Sequence, residues 1–235
     1  MMSFIVIGTD TEIGKTITCA ILLARYAATI PFAYWKPIAT GSIEDRDTLT
    51  VKSLCGNKVE VLPESYLFEP PVSPHLAARQ AGRVIDPQKI LQALNNYQEA
   101  EPNRPLLIEG VGGLLVPLNE EGYLLADLIQ EMNLPCLLVS SSRLGTINHT
   151  LLTLEALRTR QISLLGVILN GPHNKENRSA IEKFGKAKIL GEVEPLDPLT
   201  PENITSASLL LDPQGYLGSR LKKPENTYKN VQSSD

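Results

Sequence analysis

The sequence predicts a single α/β domain in which a mostly parallel β-sheet is covered by helices on both faces. Short apolar runs alternate along the chain with segments whose apolar residues recur every three or four positions. The runs are continuously apolar, as expected for strands that are buried on both faces of a parallel sheet. Each parallel strand needs a crossover connection, which explains the alternation of strands with helices. The 235 residues are enough to build one such domain with a substantial core.

The first strand leads into a loop that has the features of a phosphate-binding site. Residues 4–7 are apolar, residues 8–16 read Gly-Thr-Asp-Thr-Glu-Ile-Gly-Lys-Thr, and a helical pattern follows. Gly14 lets the backbone approach an anion, and the N–H groups that begin the helix favour negative charge there. Lys15 offers a positive charge to phosphate groups, and Thr16 offers a hydroxyl to Mg²⁺. The sequence therefore predicts a P-loop NTPase-like domain, with an ordinary strand-to-helix turn and an exposed lysine as the alternative.

The second strand, at residues 32–35, ends in Lys36 and a loop of Pro, Ile, Ala, Thr, Gly and Ser. At the carboxyl end of a parallel strand, Lys36 would lie on the same edge of the sheet as the phosphate loop, where ligands bind. A solvated strand-end lysine is the alternative interpretation.

Three acidic residues, Glu44, Asp45 and Asp47, come just before the next predicted helix at residues 48–54. Acidic side chains at the start of a helix complement the helix dipole, which is the ordinary explanation. One of them could instead reach a metal ion, and the spacing alone does not select which.

The middle of the chain places another carboxylate at a strand end. Residues 55–73 are expected to be irregular, and helices are predicted at residues 74–81 and 87–98. Residues 106–109 then form a buried strand that ends in Glu109 and is followed by Gly-Val-Gly-Gly. A carboxylate here can hold Mg²⁺ or its water, and the glycines allow a ligand to come close. A strand-end glutamate that only caps a loop is the alternative.

The remaining elements continue the alternation. Strands are predicted at residues 136–139, 164–169 and 189–193, with helices at 123–132, near 147–157, and at 175–185. Asn170 follows one of these strands and would lie on the ligand edge, although Asn-Gly-Pro is also a good turn. The polar stretch from residue 219 is expected to be loose, so the domain is predicted to span residues 1–218, with a flexible tail at 219–235.

Charge and cysteine content limit the classes of partner and compartment. The net charge of −4 argues against a general binder of nucleic acid or of membrane surfaces, because no large positive field exists. No apolar run approaches the roughly 20 residues of a membrane span, and no signal peptide is visible. The three cysteines are widely spaced and indicate neither a disulfide framework nor a zinc site. We therefore expect a cytoplasmic protein.

A set of motifs runs along the chain. They are Gly-Thr-Asp-Thr-Glu-Ile-Gly-Lys-Thr (8–16), Tyr-Trp-Lys-Pro-Ile-Ala-Thr-Gly-Ser (34–42), Pro-Val-Ser-Pro-His (71–75), Glu-Gly-Val-Gly-Gly-Leu-Leu-Val-Pro-Leu (109–118), Leu-Gly-Thr-Ile-Asn-His (144–149) and Asn170. The phosphate loop has five residues between Gly8 and Gly14, one more than in the usual motif. In their order and in this loop spacing, the motifs together resemble the dethiobiotin synthetase family, the ATP-dependent ring-closing enzymes of biotin synthesis.

The resemblance implies a reaction, its substrates and an assembly. 7,8-Diaminononanoate (7,8-diaminopelargonate) reacts with CO2, supplied as such or from bicarbonate, to form a carbamate, whose oxygen attacks the γ-phosphate of ATP. The second amine then closes the ureido ring and expels phosphate. ATP is the co-substrate and Mg²⁺ the cofactor, and the expected assembly is a homodimer with no nucleic-acid or membrane partner.

The resemblance also implies roles for individual residues. The positions near the γ-phosphate and the carbamate, where catalysis is expected, are Thr11, Lys15 and Lys36. The Mg²⁺ positions are Thr16, Asp47 and Glu109. The substrate positions are Thr11, Lys36, Thr40, Gly145 and Asn148, of which the last two hold the carboxylate tail at a dimer interface. The nucleotide positions are Glu12, Ile13, Gly14, Lys15, Thr16, Ile17, Glu109 and Asn170, with Asn170 as the adenine reader.

Three departures from the family pattern lie near these positions. The loop between Gly41 and Asp47 is short, so the choice of Asp47 over Asp45 depends on matching Asp-Thr-Leu to the family's Asp-Ala-Leu. Val111 replaces a commoner Ala, and Trp35 is bulkier than expected. A P-loop regulatory or partitioning ATPase switch without ligase activity is the alternative function.

Overall fold

The computed structural model describes residues 1–44, 46–56 and 59–222 of the chain. The strands are β1 (Phe4–Gly8), β2 (Ala33–Trp35), β3 (Ile38–Thr40), β4 (Glu60–Val61), β5 (Tyr66–Phe68), β6 (Leu106–Gly113), β7 (Cys136–Ser141), β8 (Leu164–Asn170) and β9 (Ile189–Val193). The helices are α1 (Lys15–Tyr26), α2 (Asp47–Cys55), α3 (Pro74–Gln80), α4 (Pro87–Ala100), α5 (Leu125–Met132), α6 (Thr146–Thr159), α7 (Lys175–Gly185), α8 (Pro201–Leu210) and α9 (Tyr216–Leu221). The predicted α/β class is confirmed.

The main sheet has seven strands in the order β4-β2-β6-β1-β7-β8-β9, and its paired neighbours are all parallel. β1 lies in the middle, between β6 and β7. Because the strands are parallel, the carboxyl ends of β1, β2, β6 and β8 reach the same edge of the sheet. That edge carries the loop before α1, together with Lys36, Glu109 and Asn170.

Apolar side chains fill the space on both faces of this sheet. One core cluster joins the strands to α1, α2, α8 and α9 and includes Val6 and Leu107. The other joins them to helices α3 to α7 and includes Ile7 and Ile108. Successive residues of a strand point to opposite faces, so neighbours such as Val6 and Ile7 belong to different clusters. Burial on both faces explains why the strands are continuously apolar. Within the described residues, none of the helices combines the length and apolar character needed to cross a bilayer.

The structure differs from the prediction most between residues 37 and 73. β3 forms inside the predicted loop after Lys36, and β4 and β5 lie in the stretch that was predicted to be irregular. Each has only two or three residues, which is too short to show a periodic pattern. β3 and β5 pair with each other in a separate two-stranded sheet. The segment after Lys36 is therefore held by a hydrogen-bonded partner.

The C-terminal part also differs from the prediction. α8 was not predicted, although its N-cap Thr200 accepts a hydrogen bond from the Asn203 N–H and its Ile204 is buried. α9 continues past the predicted domain boundary at residue 218, because Leu217 and Leu221 are buried in the core. The predicted loose tail therefore does not begin at residue 219. The rest of that tail, at 223–235, lies outside the described residues, as does Asp45.

Candidate active site

The loop between β1 and α1 has one position that only glycine fits. Gly14 precedes α1 with a φ of 83°, in the left-handed region. A Cβ added at Gly14 would lie 1.7 Å from Nδ2 of Asn170. The same amide nitrogen donates a 2.8 Å hydrogen bond to the carbonyl oxygen of Ile13. Asn170, at the end of β8, thus holds the end of the loop in place.

The start of α1 has the properties of an anion-binding site. No side chain caps the helix at Gly14. The N–H groups of its first turn have no acceptor within the helix, and the helix dipole favours negative charge beside them. Nζ of Lys15 donates a 2.7 Å hydrogen bond to the carbonyl oxygen of Asp10, so this side chain lies along the loop. Burial lowers the pKa of Lys15, although the Glu109 carboxylate acts in the opposite direction.

A polar cluster beside the loop joins three elements. Thr16 belongs to α1, Asp47 begins α2 and Glu109 lies in β6. The hydroxyl oxygen of Thr16 lies 2.6 Å from Oδ1 of Asp47 and 2.9 Å from Oε1 of Glu109. A hydroxyl has a single hydrogen, so it can donate to only one of these carboxylate oxygens at a time. Oxygen atoms grouped in this way are suited to a hard cation such as Mg²⁺.

Lys36 places a positive charge between the two carboxylates. Its Nζ donates to Oε1 of Glu109 at 2.8 Å and also to Oδ2 of Asp47. Burial by itself lowers the pKa of Lys36, but Glu109 and Asp47 raise it above its ordinary value. Burial raises the pKa of Asp47, yet the Lys36 ammonium outweighs this and the pKa falls. Lys36 is 5% exposed, so the alternative of a solvated strand-end lysine is wrong.

These groups open onto a single cavity of about 840 Å³. Its walls come from the phosphate loop, the segment after β2, the start of α2, residues 71–74 and the glycines of β6. A cavity of this size can hold a phosphorylated ligand together with a small substrate. The predicted site residues that line it are Thr11, Glu12, Gly14, Lys15, Thr16, Ile17, Lys36, Thr40, Asp47 and Glu109.

Four predicted site residues lie outside this cavity. Ile13 belongs to the phosphate loop, and its carbonyl oxygen accepts a hydrogen bond from Asn170. Gly145 and Asn148 are exposed at the start of α6. A smaller cavity of about 340 Å³ lies between residues 113–116 and α6. Within one chain, the residues predicted to bind the carboxylate tail are therefore separate from the main cavity.

Two residues near the cluster were not predicted as site residues from the sequence. The hydroxyl of Tyr34 donates a 2.7 Å hydrogen bond to Oε2 of Glu109, from a position 75 residues away in the chain. Arg46 lines the main cavity and pairs with Glu64, with Nε 3.4 Å from Oε1. No local pattern marks either contact. Tyr34 lies in an apolar strand pattern, and Glu64 falls in the stretch that was predicted to be irregular.

Comparisons with known proteins find relatives over most of the chain. A family model described as an AAA domain matches residues 2–203. The ATP-dependent dethiobiotin synthetase of Paramagnetospirillum magneticum is 43% identical over 204 residues, which cover 87% of this chain and 93% of that protein. The ATP-dependent dethiobiotin synthetase of Agrobacterium fabrum is 42% identical over 207 residues, which cover 88% of this chain and 92% of that protein. The ATP-dependent dethiobiotin synthetase of Lawsonia intracellularis is 43% identical over 208 residues, which cover 88% of this chain and 95% of that protein.

Solved structures with a similar fold are much less similar in sequence. The MinC:MinD cell division protein complex of Aquifex aeolicus superposes with a TM-score of 0.57 at 12% identity, covering 95% of this chain and 97% of that chain. The cell division ATPase MinD of Pyrococcus furiosus gives a TM-score of 0.54 at 18% identity, covering 92% of this chain and 96% of that chain. The predicted P-loop NTPase-like fold is confirmed.

Proposed function

The chain belongs to the dethiobiotin synthetase family, and we propose that it forms dethiobiotin from 7,8-diaminononanoate and CO2 with ATP, in biotin biosynthesis. The convergence of two lysines and two carboxylates on one cavity carries this proposal. The start of α1 and Lys15 supply donors for phosphate groups. Asp47 and Glu109 supply oxygen ligands for a cation, and Lys36 supplies a charge for a substrate anion. A phosphoryl transfer to a small anionic acceptor needs all three.

Mg²⁺ fits the oxygen cluster formed by Thr16, Asp47 and Glu109. The Thr16 hydroxyl lies within hydrogen-bond distance of one carboxylate oxygen of Asp47 and one of Glu109. Across residues 1–44, 46–56 and 59–222, no group of three or more His, Cys, Asp or Glu side chains is arranged to hold a metal. A site with only two carboxylates is in keeping with Mg²⁺, which takes much of its shell from water and substrate phosphates. When bound, the ion would neutralise charge that develops on the phosphoryl group.

We assign the chemistry to the residues around the two lysines. One substrate amine attacks the carbon of CO2 and loses a proton to water, and the resulting carbamate anion is held by Lys36, with Thr11 and Thr40 lining the same cavity. A carbamate oxygen attacks the γ-phosphorus of ATP as ADP leaves, and Lys15 stabilises the charge on the transferring group. The second amine then attacks the carbamate carbon and loses a proton, and phosphate leaves as the ring closes. Fixed positive charge accounts for most of the rate enhancement in this scheme.

The nucleotide would lie along the phosphate loop and the start of α1. The backbone from Glu12 to Ile17 would surround the phosphates, as the uncapped start of α1 supports. Asn170 already donates through Nδ2 to the carbonyl oxygen of Ile13. We therefore assign its Oδ1 to the amino group of adenine.

The proposal extends to a homodimer in which a second copy covers the start of α6. Gly145 and Asn148 are exposed there, beside a fully exposed Leu144. The dimer itself follows from the family resemblance, since a single exposed leucine is ordinary on a protein surface. The carboxylate tail of the substrate would bind between the two copies. Sedimentation should show a dimer, and a fully active monomer would contradict this part of the proposal.

A cytoplasmic location fits this function. The reaction consumes ATP, and Cys19, Cys55 and Cys136 are all free thiols in the structure. Free cysteines are in keeping with a reducing compartment.

The deciding experiment is mass-spectrometric detection of the cyclic urea after incubation with diaminononanoate, bicarbonate and MgATP. Labelled bicarbonate should place its carbon in the urea group. Omission of the diamine is the control, and ATP turnover should then fall to background. Turnover that persists without the diamine and yields no cyclic urea would favour the alternative, a regulatory ATPase switch.

A further inference from the structure

A buried tyrosine contacts the carboxylate at the end of β6. Tyr34 is 0% exposed, and its hydroxyl donates a 2.7 Å hydrogen bond to Oε2 of Glu109. Glu109 is itself 1% exposed. Hydrogen bonds to charged groups are short and strong, and a buried carboxylate oxygen that loses its donor is destabilised. The hydroxyl of Tyr34 is therefore important to how Glu109 is held.

The register of two strands explains why the two groups meet. Tyr34 of β2 pairs with Leu107 of β6, and Glu109 lies two residues further along β6. Residues two apart in a strand point to the same face, so Leu107 and Glu109 share a face. Tyr34 and Leu107 belong to the core cluster that includes α1. The ring of Tyr34 packs in this cluster, and its hydroxyl reaches Glu109.

The two oxygens of Glu109 consequently have different partners. Oε2 accepts from Tyr34, whereas Oε1 lies 2.9 Å from the Thr16 hydroxyl and 2.8 Å from Nζ of Lys36. The carboxylate cannot exchange its two oxygens without breaking the bond to Tyr34. Only Oε1 lies among the groups that the proposed function assigns to the cation.

We infer, on the basis of the proposed function, that Tyr34 is a positioning residue that directs Oε1 of Glu109 toward the Mg²⁺ of MgATP. A donor behind a metal ligand limits the ligand to one orientation, and loss of such a donor typically costs about 10- to 100-fold in metal affinity or activity. Packing alone does not require the hydroxyl, because phenylalanine would fill the same volume in the core.

Tyr34→Phe tests this inference, with Tyr26→Phe as a matched control. Tyr26 is also buried and donates a 2.8 Å hydrogen bond to a buried carboxylate, that of Asp212. The measurement is the ratio of ATP affinities with saturating Mg²⁺ and with a chelator, determined by calorimetry without the diamine. This ratio reports how strongly the metal contributes to nucleotide binding. Because both affinities come from the same preparation, a fraction of unfolded protein leaves the ratio unchanged.

Tyr34→Phe is expected to lower the ratio about tenfold, while Tyr26→Phe leaves it within about twofold. Both variants should lower the melting temperature by similar amounts, since each loses one buried hydrogen bond. The inference is overturned if the ratio for Tyr34→Phe stays within about twofold of the wild-type ratio while the ratio for Glu109→Gln falls clearly. That outcome leaves the proposed metal role of Glu109 in place. An unchanged ratio in Glu109→Gln as well would overturn both this inference and the proposed metal role of Glu109.

The double variant Tyr34→Phe/Glu109→Gln provides a second test. If Tyr34 acts through Glu109, adding Tyr34→Phe to Glu109→Gln should lower the ratio no further, because coupled residues are not additive. A further tenfold loss in the double variant would show an independent effect of Tyr34 and would overturn the inference.

Discussion

Two buried tyrosine–carboxylate pairs in this molecule have similar geometry and different surroundings. Tyr34 donates to Glu109 at 2.7 Å, and Tyr26 donates to Asp212 at 2.8 Å. The two carboxylates are 1% and 2% exposed, respectively. Burial raises the pKa of both tyrosines, so each hydroxyl remains a donor at neutral pH. The hydrogen bonds themselves therefore do not distinguish the two regions.

The other partners of each carboxylate make the difference. Asp212 lies in the turn between α8 and α9, and its Oδ2 also accepts a 2.9 Å hydrogen bond from the N–H of Gly218. This pair connects α1 to the C-terminal helices, away from the main cavity. Oε1 of Glu109, by contrast, lies beside the Thr16 hydroxyl and Nζ of Lys36, and Glu109 lines the main cavity. The same interaction thus stabilises the fold in both regions, and at Glu109 it also orients a ligand-facing group. Changes around Glu109 should affect turnover as well as stability, whereas changes around Asp212 should affect stability alone.

The largest effect is expected from Lys15→Ala in the phosphate loop. Loss of a charge contact that acts in the transition state typically costs about 10²–10³ in rate, or ~3–4 kcal/mol. Turnover with the diamine and MgATP should fall by that amount, measured as ADP release, while the melting temperature changes little. Activity within a few-fold of wild type would contradict the role of this loop.

Lys36→Gln should separate nucleotide binding from ring closure. MgATP affinity is expected to stay within about tenfold, ~1.4 kcal/mol, while product formed in a single turnover falls by far more. The reason is that Lys36 contacts the reacting carbamate, and this contact strengthens as charge moves. The variant also leaves the buried carboxylate of Glu109 and the half-buried carboxylate of Asp47 without their lysine. Its melting temperature should therefore fall without Mg²⁺ and recover when Mg²⁺ is added.

Equal losses of MgATP affinity and of single-turnover product in Lys36→Gln would make Lys36 a phosphate ligand. If neither quantity changes, the carbamate site lies elsewhere. Labelled bicarbonate traces the urea carbon in the single-turnover measurement.

Asp47→Asn and Glu109→Gln should each raise the Mg²⁺ concentration required for half-maximal activity by about tenfold, ~1.4 kcal/mol. Each replacement removes a charged oxygen ligand and keeps the shape of the side chain. Asp45→Asn is the control and should leave the requirement unchanged. If Asp45→Asn proves to be the damaging change, the family match across the short loop after Gly41 is displaced by two residues.

Asp212→Asn should have the smallest effect on activity and a clear effect on stability. Weakening the hydrogen bonds of a buried carboxylate is expected to lower the free energy of unfolding by about 1–3 kcal/mol. Urea denaturation measures this loss, and the specificity constant for the diamine should stay within about twofold of wild type. A loss of turnover without a loss of stability would remove the distinction between the two tyrosine–carboxylate pairs.

Local sequence patterns were sufficient to predict the strands of the main sheet other than β4, and the residues at their carboxyl ends. The apolar runs before the phosphate loop, Lys36 and Glu109 each end directly at the polar residue or loop. Parallel strands end on one edge of the sheet, so these residues were expected to lie near one another, and all of them line the main cavity. The assigned roles in catalysis and metal binding stay predictions.

Only the tertiary structure decided which of these residues touch and what supports them. The bond from Tyr34 to Glu109 spans 75 positions, and the bond from Asn170 to Ile13 spans 157. The first depends on β2 pairing with β6, and the second on β8 lying two strands from β1. A strand buried on both faces has the same apolar pattern whichever strands lie beside it. Periodicity along the chain therefore does not show which strands pair with each other. For the same reason, the pairing of β3 with β5 and the position of Lys36 between two carboxylates became visible only in the folded chain.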